Sequence, residues 1–359
     1  MRQAAEPNAA LARLMKNGGG VQRMTRAVAR LANTHTAAWM ECVLEDARSS
    51  DVVLFSSIAS YVGLSVGECL DIPAIGLGLW PTSPTREFAS PLLRPWQMPG
   101  WLNLVSHHAV NRLLWRHFRT SLNEARRKIA GQPERRTMWR RYPILYGISR
   151  HLVPQPKDWA AEWQICGAWR IPDGPWTPPE DLAEFIASGD PPIYVGFGSM
   201  GGFDKRRLLA AIIDAVAGRR AIFYPGWSGI EPSELPSNFF IVGETSHSWL
   251  FPRMSMVIHH GGAGTSHAAA HAGVPSIVIP FAGDQFFWAH RLGSAGVAPA
   301  YVEHRKIDAA ALARAISFAE RDDVRARAKE LGALMAQEDG VRNAVESILR
   351  IVASDRRGA

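Results

Sequence analysis

Cysteine is scarce in this chain: Cys42, Cys69 and Cys166 are the only three among 359 residues. No pair has CxxC spacing, which argues against a disulfide framework and a thiolate zinc site and fits a reducing, cytoplasmic compartment. No apolar run reaches the roughly 18 residues expected of a membrane-spanning helix. The opening M-R-Q-A-A-E-P-N-A-A-L-A-R-L-M-K meets charge before a signal-peptide core can form. Internal repeats, low-complexity tracts and HExxH spacing are also missing.

What is present suits a two-domain protein. Its length exceeds one ordinary core, and 47% hydrophobic residues can fill two. The formal charge is +7, and the excess is concentrated. Between His107 and Arg141 there are ten Lys or Arg against only Glu124 and Glu134.

From Val52 onward, short apolar runs alternate with amphipathic stretches, the pattern of βα units on parallel sheets. Runs 52–55, 73–77 and 144–148 predict strands of a first domain, with helices over 58–70 and 102–130. The stretch G-A-W-R-I-P-D-G-P-W-T-P-P changes character, because proline ends helices and central strands alike. The expected division is therefore an N-terminal domain over 1–167, a linker over 168–179, a C-terminal domain over 180–340, and a final helix and tail over 341–359. In the C-terminal domain, strands are expected at 193–197, 220–224, 239–242, 256–259 and 276–279, forming one doubly wound sheet.

Within that sheet, I-H-H-G-G-A-G-T-S (258–266) falls at a strand-to-helix turn. Ligands of open α/β sheets bind at the carboxyl ends of strands. Small residues there let backbone approach an anion, and the first amides of the helix favour phosphate. Thr265 adds a hydroxyl, and His260 a hydrogen bond or, if protonated, a positive charge. Packing alone would also use such a turn. The stretch has neither the lysine of a Walker loop nor the third glycine of a dinucleotide fingerprint, so ATPase and dehydrogenase chemistry find no support. His267 and His271 have the i, i+4 spacing of a metal pair but no third ligand; core or surface histidines are the plainer reading.

Extended to H-H-G-G-A-G-T-S-H-A-A-A-H-A-G-V-P-S-I-V-I-P-F-A-G-D-Q-F-F-W, the stretch resembles the nucleotide-sugar signature of GT1 glycosyltransferases, in particular their sterol-glucosyltransferase-like and glycopeptide-glycosyltransferase-like branch. I-Y-V-G-F-G-S-M (193–200), S-W-L-F-P-R-M (248–254) and P-T-S-P-T-R-E-F (81–88) add to the resemblance, which covers about Val52 to Ile351. It implies an α/β GT-B fold, two Rossmann-like domains facing a cleft, and an inverting transfer of glucose from UDP-glucose to a lipophilic hydroxyl. It also implies that His260, Gly262, Ala263, Gly264 and Thr265 hold the diphosphate, with Ser199 beside it. Asp284 and Gln285 are expected on the sugar hydroxyls, and His247 near the nucleoside. No cofactor and no metal are expected.

Members of that family begin with a strand and a glycine-rich loop, and carry the general base in this first part. Nothing before Val52 resembles it, so the N-terminal domain is expected to be incomplete and the catalytic residue is unknown. Asp51, Asp71, Glu87 and His35 have no spacing argument as substitutes. A homologue that binds nucleotide sugar without turning it over is the alternative, and an epimerase is a third reading.

Residues 107–128 show one apolar and one cationic helical face. The cationic face reads as solvated arginines or as a peripheral contact with an anionic membrane; nucleic acid is not expected, since no binding motif accompanies it. Trp80, Phe88, Trp96 and Trp101 read equally as an acceptor wall or as core.

Overall fold

The computed structural model describes residues 21–94, 98–170, 174, 176–198, 204–226 and 234–358. The chain divides into two compact units, with crossings between Trp169 and Arg170 and between Glu338 and Asp339. In chain order, the first unit contains α1 (Val21–Ala47), β1 (Val53–Ser56), α2 (Ser60–Leu70), β2 (Ala74–Gly78), α3 (Gly100–Lys128), β3 (Ile144–Tyr146) and β4 (Trp163–Ile165). The second contains α4 (Glu180–Ala187), β5 (Ile193–Gly196), α5 (Lys205–Val216), β6 (Ala221–Tyr224), β7 (Phe239–Ile241), α6 (His247–Leu250), β8 (Met256–His259), α7 (Ala263–His271), β9 (Ser276–Val278), α8 (Gln285–Ser294), α9 (Ala309–Ala319) and α10 (Asp322–Met335). The chain then returns to the first unit as α11 (Gly340–Gly358).

The first unit is a parallel sheet in the order β1-β2-β3-β4. On one face Val53 and Phe55 pack with Met40 and Leu44 of α1, Val62 and Val66 of α2, and Phe118 and Leu122 of α3. On the other, Ile75 and Leu145 pack with Ala344 of α11. Polar contacts fix that helix: Asn343 Nδ2 donates to Cys166 O at 2.8 Å, and Trp169 Nε1 to Gly340 O at 3.1 Å. The final helix is thus part of the first unit's fold, a return that sequence spacing did not predict. Strand β1 is an edge, and its Leu54 is 45% exposed. Parallel sheets ordinarily bury both faces, so Leu54 is an apolar position left uncovered among the described residues.

The second unit is a five-stranded parallel sheet, β7-β6-β5-β8-β9. Its central strands β5 and β8 are buried along their whole lengths, as their unbroken apolar runs require. Side chains that end the flanking loops start the helices: Asp204 accepts from Arg207 N at 3.1 Å, and Asp308 from Ala311 N at 2.7 Å. Such caps contribute about 1 kcal/mol each. Val195, Ile212, Ile258 and Leu312 fill one side of the sheet, and Tyr194, Val257, Leu250 and Ala269 the other.

Candidate functional site

The order β7-β6-β5-β8-β9 reverses its direction of growth between β5 and β8, the switch point at whose carboxyl end open α/β sheets bind their ligands. Gly198 leaves β5 and His260 leaves β8 at this point, and a methyl placed on Gly198 would lie 3.2 Å from His260 Cε1. Ser199, expected beside the phosphates, lies outside the described residues, as does Trp96.

Strand β8 ends at His259, which is fully buried. Its Nδ1 accepts from Gly261 N at 3.1 Å, which assigns the ring proton to Nε2. This bond closes the bend. Gly261 has φ +87°, and a Cβ there would stand 2.7 Å from Val278 Cγ1 and 3.0 Å from Gln285 O. Only glycine fits that conformation and that space. The bend therefore packs against the start of α8, so the loop after β8 and the loop after β9 are positioned together. His259 is a residue that the sequence reading passed over, although the doubled histidine was its signal.

Helix α7 begins at Ala263, so the early amides of Gly264 and Thr265 lack intrahelical acceptors and lie at the positive end of the helix. A methyl on Gly262 would lie 2.5 Å from His260 Nε2, which puts that ring over the turn. By contrast, a methyl on Gly264 would meet no atom within 4 Å among the described residues beyond its own helix backbone and chain neighbours. Burial pushes the His260 ring down to about 4 and that of His259, flanked by His260 and His247, to about 3. At that value the His260 ring is neutral near pH 7, so it carries no charge there and can offer only a hydrogen bond. Its Nδ1 is buried without a protein partner among the described residues.

Asp284 stands at the N-cap position of α8 without a side-chain bond to a helix amide, and its Oδ2 accepts from Trp288 Nε1 at 2.9 Å. Burial raises its pKa against the effect of that bond. Gln285 points inward: its Oε1 accepts from Phe281 N at 2.7 Å and Ala282 N at 3.1 Å, so the amide oxygen supports the turn that presents Asp284. His247 opens α6 and stacks on Phe251 at 4.3 Å, beside Tyr194 of β5. The structure thus brings His260, Gly262, Ala263, Gly264 and Thr265 into one turn with Asp284 and Gln285 alongside, while His247 is held by aromatic packing.

The paired histidines of α7 serve separate purposes. His267 Nδ1 lies 2.8 Å from Ala263 O, and His271 Nε2 accepts from Arg170 Nη1 at 2.6 Å. Among the described residues no group of three His, Cys, Asp or Glu side chains could hold a metal ion. In the first unit, Asp71 is the left-handed cap of α2, Glu87 accepts from Lys157 N at 2.8 Å, and His35 stacks on Trp39. Trp101, one of the expected wall residues, is 60% exposed.

Residues 221–349 match the family described as Erythromycin biosynthesis protein CIII-like, C-terminal domain. The chain is 33% identical over 303 residues to sterol 3-beta-glucosyltransferase UGT80B1 of Arabidopsis thaliana, covering 81% of this chain and 49% of that protein. It is 31% identical over 348 residues to UDP-sugar-dependent glycosyltransferase 52 of Dictyostelium discoideum, covering 84% of this chain and 20% of that one. The chain thus spans about half, or less, of the relatives it matches. Among solved structures, the glycotransferase of kitacinnamycin aligns with a TM-score of 0.66 at 18% identity, over 91% of this chain and 83% of its own. That likeness shows the fold, which is GT-B.

Proposed function

For a chain similar to GT1 glycosyltransferases of the sterol- and glycopeptide-glycosylating kind, we propose a UDP-dependent hexosyltransferase that moves glucose from UDP-glucose, with inversion, to the hydroxyl of a lipophilic acceptor such as a sterol. The observation that carries this reading is the turn after β8. His260, the free amides of α7 and the Thr265 hydroxyl stand at the sheet's switch point, with Asp284 alongside.

In this reaction the acceptor oxygen attacks the anomeric carbon, the bond from that carbon to the diphosphate oxygen breaks, and the acceptor proton passes to a base. The leaving diphosphate gains negative charge where preorganised donors stabilise it, so His260 contributes as a neutral donor and α7 through its amides and dipole. Asp284 keeps Oδ1 for a sugar hydroxyl, and Gln285 positions it through the Phe281–Ala282 turn. Ser199 is proposed beside the phosphates and His247 towards the nucleoside. Three unpaired cysteines accord with a cytoplasmic setting, and the acceptor would be met at an anionic membrane surface. No helix among the described residues is long and apolar enough to cross a membrane.

Incubation with UDP-[14C]glucose and a sterol tests the reading. Label in a lipid-soluble glycoside is the expected result, and UDP binding with neither transfer nor donor hydrolysis would instead establish a nucleotide-sugar-binding homologue. The engagement of Glu87 Oε1 by the Lys157 amide favours that second reading. UDP-glucose conversion without acceptor would mark an epimerase.

A further inference from the structure

Helix α3 carries a feature that the donor site does not use. At 100° per residue, Trp101, Val105, His108, Arg112, Arg116 and Arg119 fall within an arc of about 80°, and all six are exposed. Trp101 is 60% and Val105 51% exposed, so the stripe begins with two large apolar side chains in water. The three arginines continue it over the next turns, about 27 Å from end to end. The helix has a single acid, Glu124, and Lys128 takes it at 2.7 Å. Among the described residues, Arg112, Arg116 and Arg119 have no acidic partner. Val110 and Phe118, turned away from the stripe, are in the core, and buried Trp115 and Leu122 border it on one side.

The apolar end has a defined place. Asn103 Nδ2 donates to Arg86 O at 2.9 Å, Ser90 N to Ser106 Oγ at 2.9 Å, and His107 Nε2 lies 3.1 Å from Phe88 O. These bonds staple the first turns of α3 to the loop that leaves the carboxyl end of β2. Ligands of parallel sheets approach from that end. Leu79, the first residue of the loop, is itself 44% exposed.

We infer that the outer face of α3 is a docking surface for an anionic lipid bilayer, with Trp101 and Val105 entering the headgroup boundary and Arg112, Arg116 and Arg119 binding lipid phosphates and carboxylates. The amphipathic order favours lipid over nucleic acid, because an unpaired aromatic and aliphatic tip joined to a cationic row is what an interfacial helix presents. The inference rests on the proposed lipophilic acceptor only for its purpose: docking by this face sets the acceptor end of the first unit against the membrane that dissolves the acceptor.

Co-sedimentation of the full chain tests it, with vesicles of phosphatidylcholine alone and with added phosphatidylserine. The chain is expected to bind the anionic vesicles, weakly or not at all the neutral ones, and less as salt is raised. R112Q/R116Q/R119Q should reduce binding on the order of 100-fold, as three contacts of about fivefold each. W101S/V105S should weaken binding while leaving its salt dependence intact. Equal binding to both vesicles, or undiminished binding by the triple variant, would overturn the inference. So would loss of single-stranded oligonucleotide binding by that variant when the wild type ignores vesicles. UDP affinity, read on the same variants, separates this proposal from the donor-site reading: the stripe is remote from β8 in sequence and unit, so it should not change.

Discussion

Gly264→Ala separates a ligand cradle from a turn that is merely packed. Gly264 is the second residue of α7, and among the described residues an added methyl would meet nothing within 4 Å beyond its own helix backbone and chain neighbours. On stability alone the substitution is favourable, because alanine exceeds glycine in helix propensity by about 1 kcal/mol. For a unit of this size, that raises the melting temperature by about 2–4 °C. If a diphosphate packs on that backbone, the methyl takes its place. Loss of one charge-assisted hydrogen bond costs about 1.5–3 kcal/mol, or roughly 10- to 150-fold in UDP affinity. Differential scanning fluorimetry without ligand and calorimetric titration with UDP give the two numbers on one sample. A higher melting temperature with weaker UDP binding is expected. A higher melting temperature with unchanged UDP binding would refute the reasoning, since the open space above Gly264 would then belong to no ligand.

Gly261→Ala should lower stability by about 1–3 kcal/mol, because it places a Cβ at φ +87° and 2.7 Å from Val278 Cγ1; urea unfolding measures it. Acid should destabilise both units. His107 and His259 are buried neutral, with pKa values lowered by burial to about 4 and about 3. The unfolded chain therefore binds more protons below pH 6.5, and each ring removes about 1.4 kcal/mol per pH unit as pH falls from there towards its folded pKa. Urea midpoints at pH 7 and pH 5, with and without His259→Asn, report this, and an unchanged slope in the variant would contradict it. Arg126→Met should destabilise the first unit by about 3–5 kcal/mol, since the 2%-exposed guanidinium bonds Ser65 Oγ, Glu68 Oε2 and Pro133 O. UDP affinity measured well below the melting temperature should stay as in wild type.

The sheet of the second unit was legible in the sequence because β5 and β8 are continuous apolar runs ended by small residues, and periodicity reports that directly. The turn after β8 was legible for the same reason. Strand β4 was not, since W-Q-I is three residues long, half-buried, and defined by its pairing with Ile144–Tyr146 rather than by any local pattern. The return of α11 to the first unit was equally hidden, because Asn343 finds Cys166 across 177 positions. At the site, residue types were readable but orientations were not. Nothing local says that the Gln285 oxygen faces the Phe281 and Ala282 amides, or that burial keeps His260 neutral. His259 went unassigned because a buried clamp and a ligand-binding histidine look alike in sequence.

The central claim, that the bend between β8 and α7 holds the diphosphate of a nucleotide sugar, is met most directly by isothermal titration of UDP into the wild-type chain and His260→Ala. Saturable one-to-one binding that weakens at least tenfold in the variant is the expected result. Absence of binding by the wild type, or equal affinity in both proteins, would contradict the claim.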